Sequence, residues 1–315
     1  MKNKKVLRLI ASLSACTIAA ITVTNKVIYH LAVSKKLLEK ETGEYYDWRF
    51  GKIYYKKEVS GSPLLLVHTL DAAASSYEWK KLIHILSKNY TVYTLDLIGC
   101  GKSDKPKITY TNYLYVQLIS DFIKNVIGRK TDVIASGISD SFITMACNID
   151  ATLFHKIMMI NPDTFQELYQ TPKGTAKLIK RLIDLPLIGT LLFNILYSRK
   201  HIDTRLTESY FSSSFISTTI PDVYLESSHI NGIGGKYLTS SIKGRYINIQ
   251  ITNALHAIDN SIYLVIGDEN PDKEAILSDY CECNPAIETC IIPHSKKYTQ
   301  LECPEELIRQ IEIFF

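Results

Sequence analysis

A serine between small residues is the first feature of this 315-residue sequence that suggests chemistry. It is Ser139 in Gly137-Ile138-Ser139-Asp140-Ser141, where the residues two before and two after it are small. A tight turn from a strand into a helix requires small residues there, because larger side chains collide where the helix crosses the strand. Such a turn exposes the serine at the C-terminal edge of a sheet and points a helix N-terminus at developing negative charge. The pattern makes Ser139 a candidate nucleophile.

Short apolar strands alternate with helices on both sides of this serine. A polar-flanked strand pair about residues 50–51 comes first, and further strands are predicted at residues 64–67, 91–97, 131–136, 156–161, 261–267 and 288–293. Helices are predicted between them and at the C-terminal stretch PEELIRQIEIFF. This alternation is typical of an α/β fold with a mostly parallel central sheet.

One long segment lacks the strand rhythm. Within residues 164–258, the stretch GTAKLIKRLIDLPLIGTLLFNILYS is apolar at helical spacing and is interrupted by Pro186 and Gly189. A structureless loop of this length is implausible in a compact domain. We therefore predict a helical cap at residues 164–258, inserted between the sixth and seventh strands of a core formed by residues 37–163 and 259–315.

Four stretches of the sequence together resemble the α/β-hydrolase family across residues 45–315. They are LLLVHTLDAAASSYEW, LDLIGCGKSDKP, the serine turn and LECPEELIRQIEIFF. The first stands where the family has its His-Gly oxyanion strand, and the second matches its D-x-x-G-x-G-x-S turn. The resemblance implies a parallel sheet, a helical cap and a Ser-His-Asp relay. We expect no metal and no cofactor.

The resemblance also implies an oxyanion hole built from backbone groups. Its donors would be the N–H of Asp140 and one N–H from Thr69 or Leu70, where the family usually has glycine after the histidine. The Asp140 carboxylate suits the start of a helix, but it lowers the potential where an oxyanion would form.

The position that matches the family's acid holds an amide. The family pattern G-x-x-D reads GDEN at residues 267–270, so Asn270 stands where the aspartate is expected. An amide does not stabilise an imidazolium as a carboxylate does. Asp163 is a candidate substitute, since it follows a sheet strand and can reach the same cleft. It can equally be an aspartate that closes a turn after Pro162.

The position that matches the family's histidine holds Lys297. A lysine with its usual pKa near 10.4 is charged at neutral pH and cannot accept the serine proton unless burial lowers that pKa by several units. His294, three residues upstream, is the candidate displaced base, against its interpretation as an exposed residue after Pro293. His229 and His256 are weaker candidates.

The N-terminal residues 1–36 differ from the rest of the chain. Four basic residues among the first eight precede the uncharged run LIASLSACTIAAITVT, residues 9–24. This run is close to the lower limit of about 17 residues for a membrane-spanning helix. We predict a signal anchor; a cleaved secretory signal, a lipoprotein signal with Cys16 lipidated, and an amphipathic helix are the alternatives. The clustered basic residues favour a cytoplasmic N-terminus with the domain outside.

Composition argues against two other classes of protein. The formal net charge is only +4, and no basic tract interleaved with aromatic residues is present beyond the N-terminus, so nothing indicates nucleic-acid binding. The seven cysteines form no CxxC pairs, so neither a zinc site nor a disulfide framework is indicated.

Three functions remain. The first is a membrane-tethered serine hydrolase of a small or lipid-like ester, amide or thioester, with Ser139 as nucleophile, His294 as base and Asp163 as acid. The second is a non-catalytic module with the same fold that holds a ligand or a protein partner in its capped pocket. The third is an interaction platform, formed by anchor and cap, without a ligand pocket.

Overall fold

One eight-stranded sheet organises the protein. The computed structural model describes residues 2–315, apart from the side chains of residues 2, 3 and 5–11. The strand order is β1-β2-β4-β3-β5-β6-β7-β8; the pairs β1–β2 and β2–β4 are antiparallel and all others are parallel. The strands are β1 (Glu44–Trp48), β2 (Gly51–Glu58), β3 (Ser62–Val67), β4 (Tyr90–Leu95), β5 (Thr131–Ser136), β6 (Phe154–Ile160), β7 (Ile262–Gly267) and β8 (Glu288–Ile292).

Helices flank the sheet and fill the long insertion. They are α1 (Lys2–Ala32), α2 (Ile83–Leu86), α3 (Asn112–Phe122), α4 (Ser139–Ile149), α5 (Phe165–Leu168), α6 (Gly174–Asp184), α7 (Ile188–Leu196), α8 (Arg199–Ser209), α9 (Ile220–His229), α10 (Gly235–Lys243), α11 (Thr252–Ala257), α12 (Lys273–Cys283), α13 (Thr299–Glu302) and α14 (Pro304–Phe314).

The sheet is buried on both faces. Every residue of β5 and β7 is buried, which is why these strands are nearly continuous apolar runs rather than alternating ones. Along β3, Leu65 and Val67 enter one core cluster, and Leu64 and Leu66 enter the cluster on the other face. This arrangement confirms the predicted α/β fold with a mostly parallel central sheet.

The helical insertion is also confirmed. Helices α5 to α11 all lie between β6 and β7 in the sequence, and β6 and β7 are hydrogen-bonded neighbours in the sheet. The chain therefore leaves the carboxyl end of β6, builds a cap and returns to the adjacent strand.

Helix α1 packs on the cap helices α7 and α9. The buried Asn25 side chain donates through Nδ2 to the Leu187 carbonyl oxygen at 3.2 Å, and its Oδ1 accepts from Asn194 Nδ2 at 2.8 Å. Just after α1, the Glu226 carboxylate accepts from the Leu37 and Leu38 N–H groups at 2.7 and 2.9 Å. These polar contacts fix the helix end against the cap.

The uncharged run of the predicted anchor, residues 9–24, begins within residues 5–11, and the side chains of residues 5–11 lie outside the described part of the chain. Among the residues that the structure describes, no helix combines the length and the apolar character that a bilayer span requires. The signal anchor and its orientation stay predictions.

Candidate functional site

The turn after β5 has its left-handed residue at Gly137. Strand β5 ends at Ser136, Gly137 has φ of 56°, and α4 begins at Ser139. In a strand-to-helix turn that presents a nucleophile, the reacting residue occupies this strained position at the top of the sheet. In this chain that position carries no side chain.

Ser139 lies two residues further on, inside the first turn of α4. It is fully buried, and its Oγ donates to the His68 carbonyl oxygen at 2.7 Å. The expectation that the turn exposes this serine at the sheet edge is wrong, because the sharp bend occurs at Gly137. The nucleophile role of Ser139 stays a prediction, but its hydroxyl is engaged with the core.

Thr69 occupies the space beside the turn. A Cβ atom added to Gly137 would lie 2.4 Å from Thr69 Oγ1, well inside van der Waals contact. The threonine hydroxyl therefore stands where a side chain at residue 137 would emerge. The two residues fit each other, because the glycine at the turn leaves room for the threonine side chain beside it.

Two of the three predicted oxyanion donors are engaged within the chain. The Thr69 N–H donates to Glu78 Oε2 at 3.3 Å, and the Asp140 N–H donates to the Gly137 carbonyl oxygen at 3.1 Å. Leu70, the alternative donor, lines a neighbouring cavity together with Thr69. An oxyanion hole from the Thr69 and Asp140 N–H groups would require their present bonds to break.

A cavity of about 90 Å³ lies at the turn and is called the elbow cavity below. It is small for a ligand site, since ligand pockets usually span about 300–1,000 Å³. The structure brings several predicted site residues to its wall and leaves out Ser139 and His294. Its lining includes Thr69, Gly137, Asp163, Asn270 and Lys297.

Asn270 and Lys297, which the sequence resemblance aligns with an acid and a base, meet at this cavity without forming a relay. Asn270 Nδ2 donates to Asn161 Oδ1 at 3.0 Å, and Lys297 Nζ lies 3.6 Å from Asp272 Oδ2. Burial raises the pKa of Asp163 to about 7, while the nearby Lys297 charge opposes that rise. The lysine already has a carboxylate partner and the amide already has an acceptor.

No histidine among the described residues lines the elbow cavity. His294 is exposed, with its ring packed against Phe211 at 5.4 Å between centroids. His229 is buried in the cap, where burial lowers its pKa to about 4, and His256 is exposed near the Cys283 carbonyl oxygen. The structure does not bring an imidazole to Ser139 or to Gly137.

Glu78 is a buried acid at the elbow cavity that sequence reasoning missed. Its carboxylate accepts from Ser136 Oγ, from Gln300 Nε2 at 2.5 Å and from the Thr69 N–H. Burial raises its pKa to about 7, and these three hydrogen bonds act in the opposite direction. No sequence pattern identifies Glu78, because neither spacing nor composition marks this glutamate as buried.

Asp140 is a second buried acid near the turn. Among the described residues neither of its carboxyl oxygens has a hydrogen-bond partner. Burial, with the neighbouring Asp163 and Glu78 carboxyls, raises its pKa well above the usual range, so that the neutral acid is favoured.

Within the described part of the chain, no cluster of acidic, histidine or cysteine residues has metal-binding geometry.

A larger cavity of about 520 Å³, called the cleft cavity below, lies between the core and the cap beside the turn. Leu70 and Ile138 of the core face the cap residues Ile179 and Ile242 across it. The exposed Lys243 and Arg245 bring positive charge to its rim. This cavity has the size and the mixed lining of a small-molecule site.

Comparison with known sequences gives one partial likeness, and no family model matches the chain. The chain is 38% identical over 71 residues to a 2-hydroxy-6-oxo-6-(2'-aminophenyl)hexa-2,4-dienoic acid hydrolase from Metapseudomonas resinovorans. The aligned part is 22% of this chain and only about a quarter, 24%, of that relative's length.

Solved structures resemble the whole domain. A serine hydrolase involved in carbazole degradation superposes with a TM-score of 0.71 at 16% identity, covering 87% of this chain and 98% of that one. A carboxylesterase from Bacillus subtilis gives 0.66 at 15% identity, with 94% and 98% covered. A meta-cleavage product hydrolase from Pseudomonas fluorescens gives 0.69 at 15% identity, with 87% and 97% covered. With the strand order and the cap insertion, these likenesses establish that the chain has the α/β-hydrolase fold.

Proposed function

We propose that this protein is a non-catalytic α/β-hydrolase-fold protein that binds a small molecule under its cap. The observation that carries the proposal is the pairing of Gly137 with Thr69: the left-handed turn position has no side chain, and the threonine hydroxyl fills the adjoining space. A nucleophile is the one triad member whose covalent role no neighbouring group supplies in its absence.

The surroundings of the turn support the same conclusion. The sequence resemblance aligns Asn270 and Lys297 with the acid and the base, and no imidazole of the described residues lines the elbow cavity. In triad hydrolases, removing the nucleophile or the base alone costs several orders of magnitude in turnover. Binding does not require these groups, so a fold that has lost them can keep a ligand.

The cleft cavity indicates the chemistry of that ligand. Its walls are formed by Leu70, Ile138 and Ile179, and its rim carries Lys243 and Arg245. A small apolar molecule with a carboxylate fits the apolar walls and the two rim cations. Its anion would have to lie at the cations and not at Asp163 and Glu167, which also line the cavity. The partly similar relative is named for the hydrolysis of a dienoic acid, a molecule of that general class.

We also propose that the N-terminal segment tethers the domain to a membrane. The support is the uncharged run at residues 9–24 behind four basic residues, together with the docking of α1 on the cap through Asn25. The ligand-binding cap would then lie close to the lipid surface.

Turnover of p-nitrophenyl butyrate by the wild-type chain and by Ser139→Ala tests the proposal. We expect both to show the same rate, indistinguishable from the background of a heat-inactivated sample. Activity that is present in the wild type and lost in Ser139→Ala would establish the predicted serine hydrolase instead.

Ligand binding is tested separately by calorimetry with a series of arylalkenoic acids. We expect binding that weakens in Arg245→Glu and is unchanged in the control Arg129→Glu, which reverses another exposed arginine away from the cleft cavity. Equal affinities in the two variants would contradict the assignment of the anion to this rim.

A further inference from the structure

A third cavity, slightly larger than the cleft cavity, lies between helix α1 and the cap. It has a volume of about 570 Å³ and is called the outer cavity below. One wall is α1, with Thr22 and Tyr29; the other wall is formed by cap residues that include Leu187, Ile233 and Tyr237. It shares no lining residue with the elbow cavity or the cleft cavity.

The outer cavity has the properties of a site for an apolar molecule. Its volume falls within the range of about 300–1,000 Å³ that is usual for ligand pockets. Most of its accessible lining is apolar, with the Tyr29 and Tyr237 rings and the Leu187 side chain among the residues that line it. A cavity of this size and polarity is better filled by hydrocarbon than by water, because ordered water needs several polar partners.

The charged residues that line the outer cavity are three lysines and one aspartate. Lys236 is buried, and its Nζ donates to the Leu185 carbonyl oxygen at 3.0 Å and to Thr190 Oγ1 at 3.2 Å. The exposed Lys26 and Lys107 also line the cavity. None of these three ammonium groups forms an ion pair with a carboxylate of the described residues.

Asp184, the acid on the wall, favours the charged form of Lys236 and so offsets this charge in part, but it is shared with other donors. Asp184 pairs with Lys180 at 2.6 Å and accepts from Ser240 Oγ at the same distance. A buried lysine without a carboxylate partner is costly, since burial disfavours its charged form. An anionic ligand group near Lys236, Lys26 and Lys107 would offset that cost.

Exposed apolar residues lie next in the sequence to residues that line the outer cavity. Val23 and Val27 of α1 are 60% and 50% exposed, and Leu185 and Ile188 of the cap are 43% and 52% exposed. Large contiguous apolar surface on a soluble domain usually marks contact with a membrane, a ligand or a partner. Here it offers a path by which a hydrocarbon chain enters the cavity.

We propose that the outer cavity binds a single-chain amphiphile, with the acyl chain between α1 and the cap and an anionic head group at Lys26, Lys107 and Lys236. A free fatty acid and a lysophospholipid with an anionic head share this chemistry. The site is independent of the function proposed for the cleft cavity, because the two cavities have separate walls.

Photo-crosslinking of the full chain with palmitic acid that carries a diazirine in its chain tests this site. After irradiation and digestion, we expect the label on peptides from α1, α7 and α10, and we expect excess oleate to prevent it. The same experiment with diazirine-labelled lysophosphatidylglycerol identifies the source of the amphiphile. Label concentrated on Leu70, Ile138 or other cleft-cavity residues would overturn the proposal.

Charge reversal tests the head-group contact. The variant Lys26→Glu/Lys107→Glu should reduce crosslinking by roughly tenfold or more, because two attractive charges become repulsive. The control Lys88→Glu/Lys130→Glu changes the net charge equally at exposed positions outside the cavity and should crosslink like the wild type. The methyl ester of the probe should crosslink weakly to all three proteins. Equal labelling of the two charge variants by the acid would overturn the proposal.

A second pair of variants tests the apolar wall. Ile233→Glu places a carboxylate at the outer cavity, and Ile179→Glu places one at the cleft cavity; the two isoleucines are 45% and 39% exposed, so both variants should fold. We expect crosslinking to fall in Ile233→Glu only. A loss in Ile179→Glu alone would move the amphiphile to the cleft cavity and overturn the assignment.

Discussion

The elbow cavity and the outer cavity satisfy their polar groups in opposite ways. At the elbow, Glu78 accepts three hydrogen bonds, Asn270 has an acceptor in Asn161, and Thr69 closes the space above Gly137. At the outer cavity, Lys26 and Lys107 face an apolar space of about 570 Å³ without carboxylate partners among the described residues.

This difference distinguishes two features of the molecule: the turn geometry that belongs to the fold, and the open volume that a ligand needs. The elbow cavity is the place where the fold performs acyl-transfer chemistry, yet here its groups bond to one another and leave only about 90 Å³. The outer cavity has no part in that chemistry, yet it has the volume and the unpaired charge of a ligand site. The fold alone therefore does not indicate which cavity of this chain holds a ligand.

The largest expected effect is at the turn itself. Gly137→Ala should lower the free energy of unfolding by about 2–4 kcal/mol, because the residue has positive φ and its Cβ would contact Thr69 Oγ1. Chemical denaturation measures this. Gly128→Ala is the matched control, since Gly128 also has positive φ, 70°, but a Cβ there meets no atom within 4 Å. Gly128→Ala should therefore lose only the stability that the backbone strain of an alanine at positive φ costs.

Replacing both partners sharpens this prediction. Gly137→Ala in a Thr69→Gly background removes the contact but keeps the backbone strain, so we expect its cost to fall to that of Gly128→Ala. An equal cost in the two backgrounds would show that Thr69 does not fill the turn.

A smaller effect is expected at the α1–cap interface. Asn25→Ala removes the hydrogen bonds to Leu187 and Asn194 and should weaken the docking of α1 by about 1–2 kcal/mol. Faster proteolysis of the segment after α1, at residues 33–43, would report this. Thr24→Ala, an exposed neighbour on the same helix, is the control. Binding in the cleft cavity should not change in Asn25→Ala. Unchanged proteolysis in this variant would contradict the interface between α1 and the cap, which forms the outer cavity.

The smallest effect concerns pH. Glu78 has a pKa raised to about 7 by burial, so the folded state holds its proton more tightly than the unfolded state does. Its contribution to stability is therefore complete below the unfolded pKa and is lost as pH rises through about 7. Thermal melts from pH 5 to pH 8 should show a melting temperature that falls as pH rises. The fall should be smaller in Glu78→Gln, and the difference should correspond to about 1 kcal/mol or more in the free energy of unfolding.

The exposed Glu58 supplies the control for this experiment. Glu58→Gln should follow the wild-type profile, although Asp163 and Asp140 add to the slope in all three proteins because burial raises their pKa values as well. A wild-type slope in Glu78→Gln would show that the carboxyl titrates normally.

The sequence predicted the fold because its signals are local and repeated. Buried parallel strands such as β5 and β7 are apolar runs of limited length, and the insertion before β7 has apolar residues at helical spacing. Each of these patterns follows directly from the geometry of strands and helices.

The site was predicted less well because the position of the turn depends on a backbone angle. Small residues flank Ser139 at both offsets, but Ala135 and Ser139 flank Gly137 in the same way, so the pattern permits both frames. Because the residue at the strained position is a glycine, no nucleophilic side chain marks that position in the sequence. The burial of Glu78 and the exposure of His294 depend on tertiary packing, which local spacing does not contain.

The most direct test of the central claim is the intact mass of the full chain after exposure to a fluorophosphonate probe, beside Ser139→Ala. We expect no mass shift in either protein, because residue 137 has no side chain and the Ser139 hydroxyl donates to the His68 carbonyl oxygen in the core. A stoichiometric adduct on the wild type that disappears in Ser139→Ala would contradict it and identify Ser139 as an activated nucleophile.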